Sequence, residues 1–179
     1  MSESNQWAVD ASHSNASFTV RHMMITNVRG EFQKLEGAVK WDPSNPEATT
    51  IEASADVASI NTRNEQRDGH LKSADFFDAE KFPKLTFKSK SVKAKSKEEL
   101  SVTGDLTIHG VTKEVVLEVE GLSAPSTDPF GNVRLGATAT AKIKRDDFGL
   151  TYNAALEAGG VLVGNDVKLT IDISLIKQK

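Results

Sequence analysis

Val133-Arg134-Leu135-Gly136-Ala137-Thr138-Ala139-Thr140-Ala141-Lys142-Ile143 alternates strictly. Val133, Leu135, Ala137, Ala139, Ala141 and Ile143 fall on one face and the polar side chains on the other. A period of two marks a β-strand with one face buried and one wet. The pattern recurs at 50–57 (Ile51, Ala53, Ala55, Val57), at 100–108 (Leu100, Val102, Gly104, Leu106, Ile108) and at 167–175 (Val167, Leu169, Ile171, Ile173, Leu175). Further strand candidates are 7–10, 14–22, 28–41, 84–91 and 114–122. Short alternating runs separated by turn signals predict an all-β fold, an antiparallel barrel or sandwich of about eight strands.

The turns are legible between these runs. Asp42-Pro43-Ser44-Asn45-Pro46 reads as a loop, because two prolines flank turn-forming residues. His109-Gly110 reads as a tight hairpin turn, and Ser123 to Asn132 as a longer loop. The alternation slips phase between Phe32 and Leu35 and again near Val57-Ala58. Such slips predict bulges that bend the strands, as closing a barrel requires. One segment breaks the pattern. Residues 62–83 hold Thr62 and Glu65 at capping-box spacing, a weakening Gly69 and a terminating Pro83. They predict a short helical excursion between two strands, a lid or a plug.

The chain has 179 residues, a formal net charge of -3 with 26% charged residues, and no cysteine. The length suits a single domain over 1–179, with 1–6 expected to be a flexible tail. Mixed charge without a clustered basic face speaks against nucleic-acid binding. The absence of cysteine removes disulfides and thiol chemistry. No apolar stretch approaches the ~20 residues of a bilayer span, so stable membrane insertion is not expected. The start MSESNQWAVD lacks a basic region followed by an apolar run, so the expected compartment is the cytoplasm, or the periplasm if a signal has been removed.

The expected inward face carries small residues: Ala53, Ala55, Gly104, Ala137, Ala139 and Ala141. Packed cores fill space with large side chains, so such a row can leave room for a ligand. The alternative is that Phe and Leu from facing strands fill the gap. Two polar residues share inward parity: His22 with Phe18 and Val20, and Arg145 with Leu135 through Ile143. A buried guanidinium is costly alone. Arg145 therefore sits at a barrel mouth, pairs with Asp or Glu, or meets an anionic ligand group.

His13, His22, His70 and His109 show no metal spacing, so no metal site is expected. His109 reads as a turn residue and His13 as a local hydrogen-bonding one. Asp68, His70 and Ser73 are residue types for a catalytic triad, but no nucleophile elbow accompanies them. Phe76-Phe77 would anchor the helical segment in the core or cover a pocket mouth.

An ordered set of motifs resembles the YceI-like, or polyisoprenoid-binding, family. It comprises W-A-V-D (Trp7–Asp10) with H-S (His13-Ser14), F-T-V-R-H (Phe18–His22), G-E-F (Gly30–Phe32) and S-I-N-T-R (Ser59–Arg63). R-D-G-H-L-K-S-A-D-F-F-D (Arg67–Asp78), F-P-K-L-T-F-K-S (Phe82–Ser89), G-D-L-T-I-H-G-V-T-K (Gly104–Lys113) and R-D-D-F-G-L (Arg145–Leu150) complete it. The resemblance implies a lipocalin-like antiparallel barrel, often a homodimer, holding an amphiphilic lipid with a long apolar chain: a polyisoprenoid, isoprenoid quinone or fatty-acid derivative. It implies binding rather than catalysis, with no cofactor besides the lipid. The candidate ligand-contacting residues are Phe18, Val20, His22, Ala53, Ala55, Asp68, His70, Phe76, Phe77, Ala137, Ala139, Ala141 and Arg145. Among them His22, Arg145 and the Asp68/His70 region are the candidates for recognising a polar head. Two other readings stay open: a lipid-processing enzyme using Asp68 and His70, and a structural or interaction barrel with a filled core.

Overall fold

The computed structural model of the chain describes residues 5–154, 156 and 162–179. Its strands are β1 (Gln6–Val9), β2 (Asn15–His22), β3 (Thr26–Phe32), β4 (Leu35–Lys40), β5 (Thr50–Asp56), β6 (Ile60–Asn61), β7 (Lys84–Ala94), β8 (Leu100–Ile108), β9 (Val111–Glu120), β10 (Ser126–Thr127), β11 (Val133–Lys144) and β12 (Val163–Lys177). One helix, α1 (Glu65–Lys72), lies between β6 and β7.

All pairings are antiparallel, and β11 pairs with β12 along Arg134–Lys144 to close the sheet on itself. The barrel has eight walls, because three walls are each built from two consecutive strands. β12 carries β1 at Leu175–Lys177 and β2 at Val163–Asp172, so β1 and β2 form one bent wall. β3 and β4 form the next, paired with β2 and β1 respectively. β5 and β6 form the third, paired with β4 and β3. Then β7, β8, β9, β11 and β12 follow in turn, so the chain runs up and down around the barrel.

The predicted bends occur, but they are breaks rather than simple bulges. Phe32 and Leu35 are both buried although they have opposite parity. Two residues leave the ladder between them, which lets both side chains face inward. At Val57–Ser59 a 3-10 turn does the same, burying Val57 before Ile60. Register irregularities inside continuous ladders fall elsewhere, between Ser89 and Ser91 and between Val163 and Val167.

His109 and Gly110 have φ of +55° and +72°, the two positive values that a type I′ hairpin turn needs. His13 Nδ1 meets Asp10 Oδ2 at 2.7 Å, the local contact expected of it. Of the residues expected to form a tail, Asn5 and Gln6 are held by the sheet. Gln6 pairs with Lys40, and the Asn5 carbonyl accepts from the Trp41 N–H at 2.9 Å. Residues 1–4 lie outside the described residues.

The helix forms where expected, but its cap is Asn64, whose Oδ1 accepts from the Arg67 N–H at 2.9 Å. Thr62 is already committed. Its N–H and hydroxyl both donate to Asp68 Oδ1, at 2.9 and 2.5 Å, and its oxygen accepts from Arg67 Nε at 2.8 Å. Helix α1 itself has no fully buried residue; Leu71 packs partly buried against the core, and Phe76 and Phe77 anchor the segment beyond its C-terminus.

Pairing register separates the two ends of the barrel. At one end Trp7, Val39, Trp41, Leu100, Leu135 and Leu175 pack into a solid floor. At the other end lie α1, the His109-Gly110 turn and a 3-10 turn at Arg145–Phe148. There Ile108, Phe148 and Leu150 form a smaller cluster.

Candidate functional site

Above the floor the barrel is hollow. A cavity of about 220 Å³ runs between the floor and the α1 end. Its wall is apolar: β2 supplies Phe18 and Val20, β5 supplies Ile51, Ala53 and Ala55, and β12 supplies Val167, Leu169 and Ile171. The interior is thus partly filled and partly empty. Large side chains close the floor, while the small residues of β5 leave the space above it open.

The small residues do not act alike. Ala53, Ala55 and Ala139 line the cavity. Ala141, between Ala139 and Ile143 on β11, is buried, but neither it nor Ala137 is among the lining residues. Gly104 makes room for something else. A Cβ there would fall 2.5 Å from the Phe87 ring and 2.5 Å from the Lys88 carbonyl oxygen. Phe87 lies over that bare backbone, so the glycine accommodates a neighbouring ring.

Phe76 and Phe77 both anchor and line. Phe76 is buried, and Phe77 meets the Phe32 ring edge-on at 5.7 Å between centroids. Phe77 packs against the cluster of Phe32, Leu35, Ala55 and Ile60 and against that of Ile108, Phe148 and Leu150. Both phenylalanines, with Leu71, face the cavity. The cap is thereby tied to opposite walls of the barrel.

The polar candidates separate. His22 closes β2 opposite Thr26, and Asp68 and His70 belong to α1; none of the three is among the lining residues. Asp68 is occupied with Thr62. His70 Nε2 meets Asp75 Oδ2 at 2.8 Å, and its ring contacts Phe76 and Tyr152 at 5.1 and 5.0 Å. These contacts fasten the cap to the segment after Leu150. Among the described residues Asp68 and His70 are thus engaged within the cap, and His22 lies at the end of the β2–β3 hairpin.

Arg145 is different. It is 6% exposed and lines the cavity. Of the three alternatives, pairing with a carboxylate is not seen among the described residues. Nε donates to the Gly164 carbonyl at 2.8 Å, Nη1 to that of Leu150 at 2.6 Å, and Nη2 to that of Val163 at 3.2 Å. Burial pushes the guanidinium below its usual value, with the charge of Asp146 acting in the opposite sense. Arginine stays protonated through such shifts. Glu52, also along the wall, points outward, with its side chain 69% exposed and 3.5 Å from Lys88 Nζ.

Several lining residues were not among the candidate ligand contacts. Parity had already placed Ile51, Leu106, Ile108, Ile143 and Ile171 on the inward face. Phe32, Leu71 and Leu150 sit at breaks or outside strands, where parity carries no signal.

The YceI-like domain family model matches residues 7–175, nearly the whole barrel. The chain belongs to the YceI-like family. The UPF0312 protein SA2479 of Staphylococcus aureus (strain N315) is 41% identical over 161 residues, covering 89% of this chain and 90% of that protein. The Campylobacter jejuni YCEI protein superposes with a TM-score of 0.75 at 32% identity, over 89% of this chain and 90% of that one. BcnA of Burkholderia cenocepacia shares the fold, with a TM-score of 0.81 at 23% identity over 93% and 98% of the two chains. A polyisoprenoid binding domain from Saccharophagus degradans also shares it, with a TM-score of 0.71 at 18% identity over 96% and 98%. In this YceI-like barrel the motifs concentrate at the cavity end. Arg67–Asp78 builds the cap, and Arg145–Leu150 builds the 3-10 turn, closed by Gly149 at φ +75°. Among the described residues no group of His, Cys, Asp and Glu is arranged to hold a metal ion, and no helix is long and apolar enough to cross a membrane.

Proposed function

We propose that this YceI-like protein binds one amphiphilic lipid inside the barrel, acting as a carrier, store or sequestering protein rather than turning the lipid over. The observation that carries this reading is an apolar cavity ending at a single buried guanidinium. Burying an apolar chain is favourable by about 0.8 kcal/mol per CH₂, so chain length alone gives useful affinity. A polar group at one end then sets orientation.

The cavity of about 220 Å³ is smaller than the ~300–1,000 Å³ usual for ligand pockets. A long prenyl or acyl chain therefore needs the cap of Leu71, Phe76 and Phe77 to give way. Native mass spectrometry on gently purified protein tests the proposal. The expected result is a bound species at the mass of a lipid, and rebinding of geranylgeraniol after delipidation. Protein that is lipid-free as purified and also fails to take up geranylgeraniol overturns it.

A further inference from the structure

We infer that the lipid head this barrel recognises is anionic, a carboxylate or a phosphate, seated against Arg145. The inference deepens the proposed lipid binding and rests on it. It starts from how the guanidinium is held. All three bonded acceptors are main-chain carbonyls, those of Gly164, Leu150 and Val163. Carbonyls satisfy hydrogen-bonding capacity but carry no net charge. Among the described residues these bonds take three of the five N–H groups of the guanidinium.

Among the described residues the charge also has no ion-pair partner, and Asp146 acts on it only from a distance. Among the described residues no carboxylate lies within ion-pair distance of Arg145, while Arg134 holds two, those of Asp10 and Asp128. The nearest acid in sequence, Asp146, is exposed at the surface. A buried cation without a counter-ion is costly, and the cost falls when an anion arrives. Such a cation beside a greasy tube favours one class of ligand. A neutral head would have to compete with carbonyls already bonded, whereas an anion gains from the charge itself through charge-assisted hydrogen bonds. The three carbonyls fix the plane of the group beforehand, so little side-chain freedom is left to lose on binding.

Three ligands of matched chain length test this: dodecanoic acid, dodecyl phosphate and 1-dodecanol, titrated calorimetrically into delipidated protein. The expected result is at least tenfold tighter binding of the acid, the phosphate or both than of the alcohol. A preference confined to one anion identifies the source of the head. In Arg145→Gln the anion-to-alcohol ratio should fall to within about threefold, and in Arg145→Lys, which keeps the charge, a preference should survive. The ratio in the unmodified protein decides the matter even if Arg145→Gln does not fold. Equal affinities for acid, phosphate and alcohol overturn the anionic head and leave lipid binding standing. No binding of any of the three overturns the anionic head, and with lipid-free purified protein that also refuses geranylgeraniol it overturns both.

Discussion

Phe87 and Gly104 show how a small inward residue can mean two things. By parity Gly104 belongs with Val102 and Leu106 on the inner face, as Ala53 does with Ile51 and Ala55. Ala53 faces open space, whereas Gly104 is covered by an aromatic ring and a carbonyl. Gly104→Ala should therefore overpack the wall. Because the contact at 2.5 Å includes the Lys88 backbone oxygen, the clash cannot be relieved by a rotamer change alone. We expect a loss of about 1–3 kcal/mol in urea-melt stability. A neutral substitution would mean that β7 and β8 shift apart freely. Arg145 teaches the complementary lesson. Its inward direction was readable from phase with Ile143, but its partners were not. They come from Leu150 and from β12, nineteen residues onward at Gly164.

At the scale of elements, the cap between β6 and β7 buries little of its first half, which is held mainly by hydrogen bonds to Thr62. Helix α1 has no fully buried residue, and Gly69 stands open, with nothing within 4 Å of the place a Cβ would take. The far end is anchored, by Phe76 and Phe77 in the barrel and by Phe82 against His109 at 5.0 Å. A weak first half with a fixed second half suits an element that opens briefly, since mobile segments come from the low-stability end of a fold. Amide exchange should be faster at 63–72 than in the strands, with protection rising when lipid is bound. Gly69→Ala should slow exchange there, because it stabilises the helix by up to ~1 kcal/mol without a clash. Uniform, ligand-independent protection would show a static plug. The helix was legible from its punctuation, but not its cap. Thr62 has the right spacing to Glu65, and only the folded contact with Asp68 withdraws it in favour of Asn64.

Across the whole molecule, one ion network ties the floor end together. Arg134 on β11 donates to Asp10 after β1 and to Asp128 in the loop before β11, at 2.6 Å each. The guanidinium holds the Asp10 carboxyl far below the usual carboxylate range, helped by Ser12 and His13, and holds Asp128 down at about 2. Both folded-state values lie below the unfolded value of 3.8. The stabilisation is thus fully present above roughly pH 5 and is lost as pH falls through the folded values, towards 2 and below. Thermal midpoints measured from pH 6 to pH 2 should drop, and Arg134→Ala should flatten that drop. An identical slope in the variant would remove the network from the account of acid stability.

Local chemistry alone specified the strands, the His109-Gly110 turn and the places where walls must bend. Each depends on side chains within a few residues of one another, through the period of two, the need for positive φ and the clash of parities at Phe32 and Leu35. The motif order was enough to point to the family. The empty volume, the solid floor and the carbonyl-held guanidinium of Arg145 are different in kind. They depend on which side chains meet across the barrel after closure, and the strands that meet there, β1 and β12 above all, come from opposite ends of the chain. Whether an alanine borders a cavity, a core or a ring is set by partners that alternation along one strand cannot name.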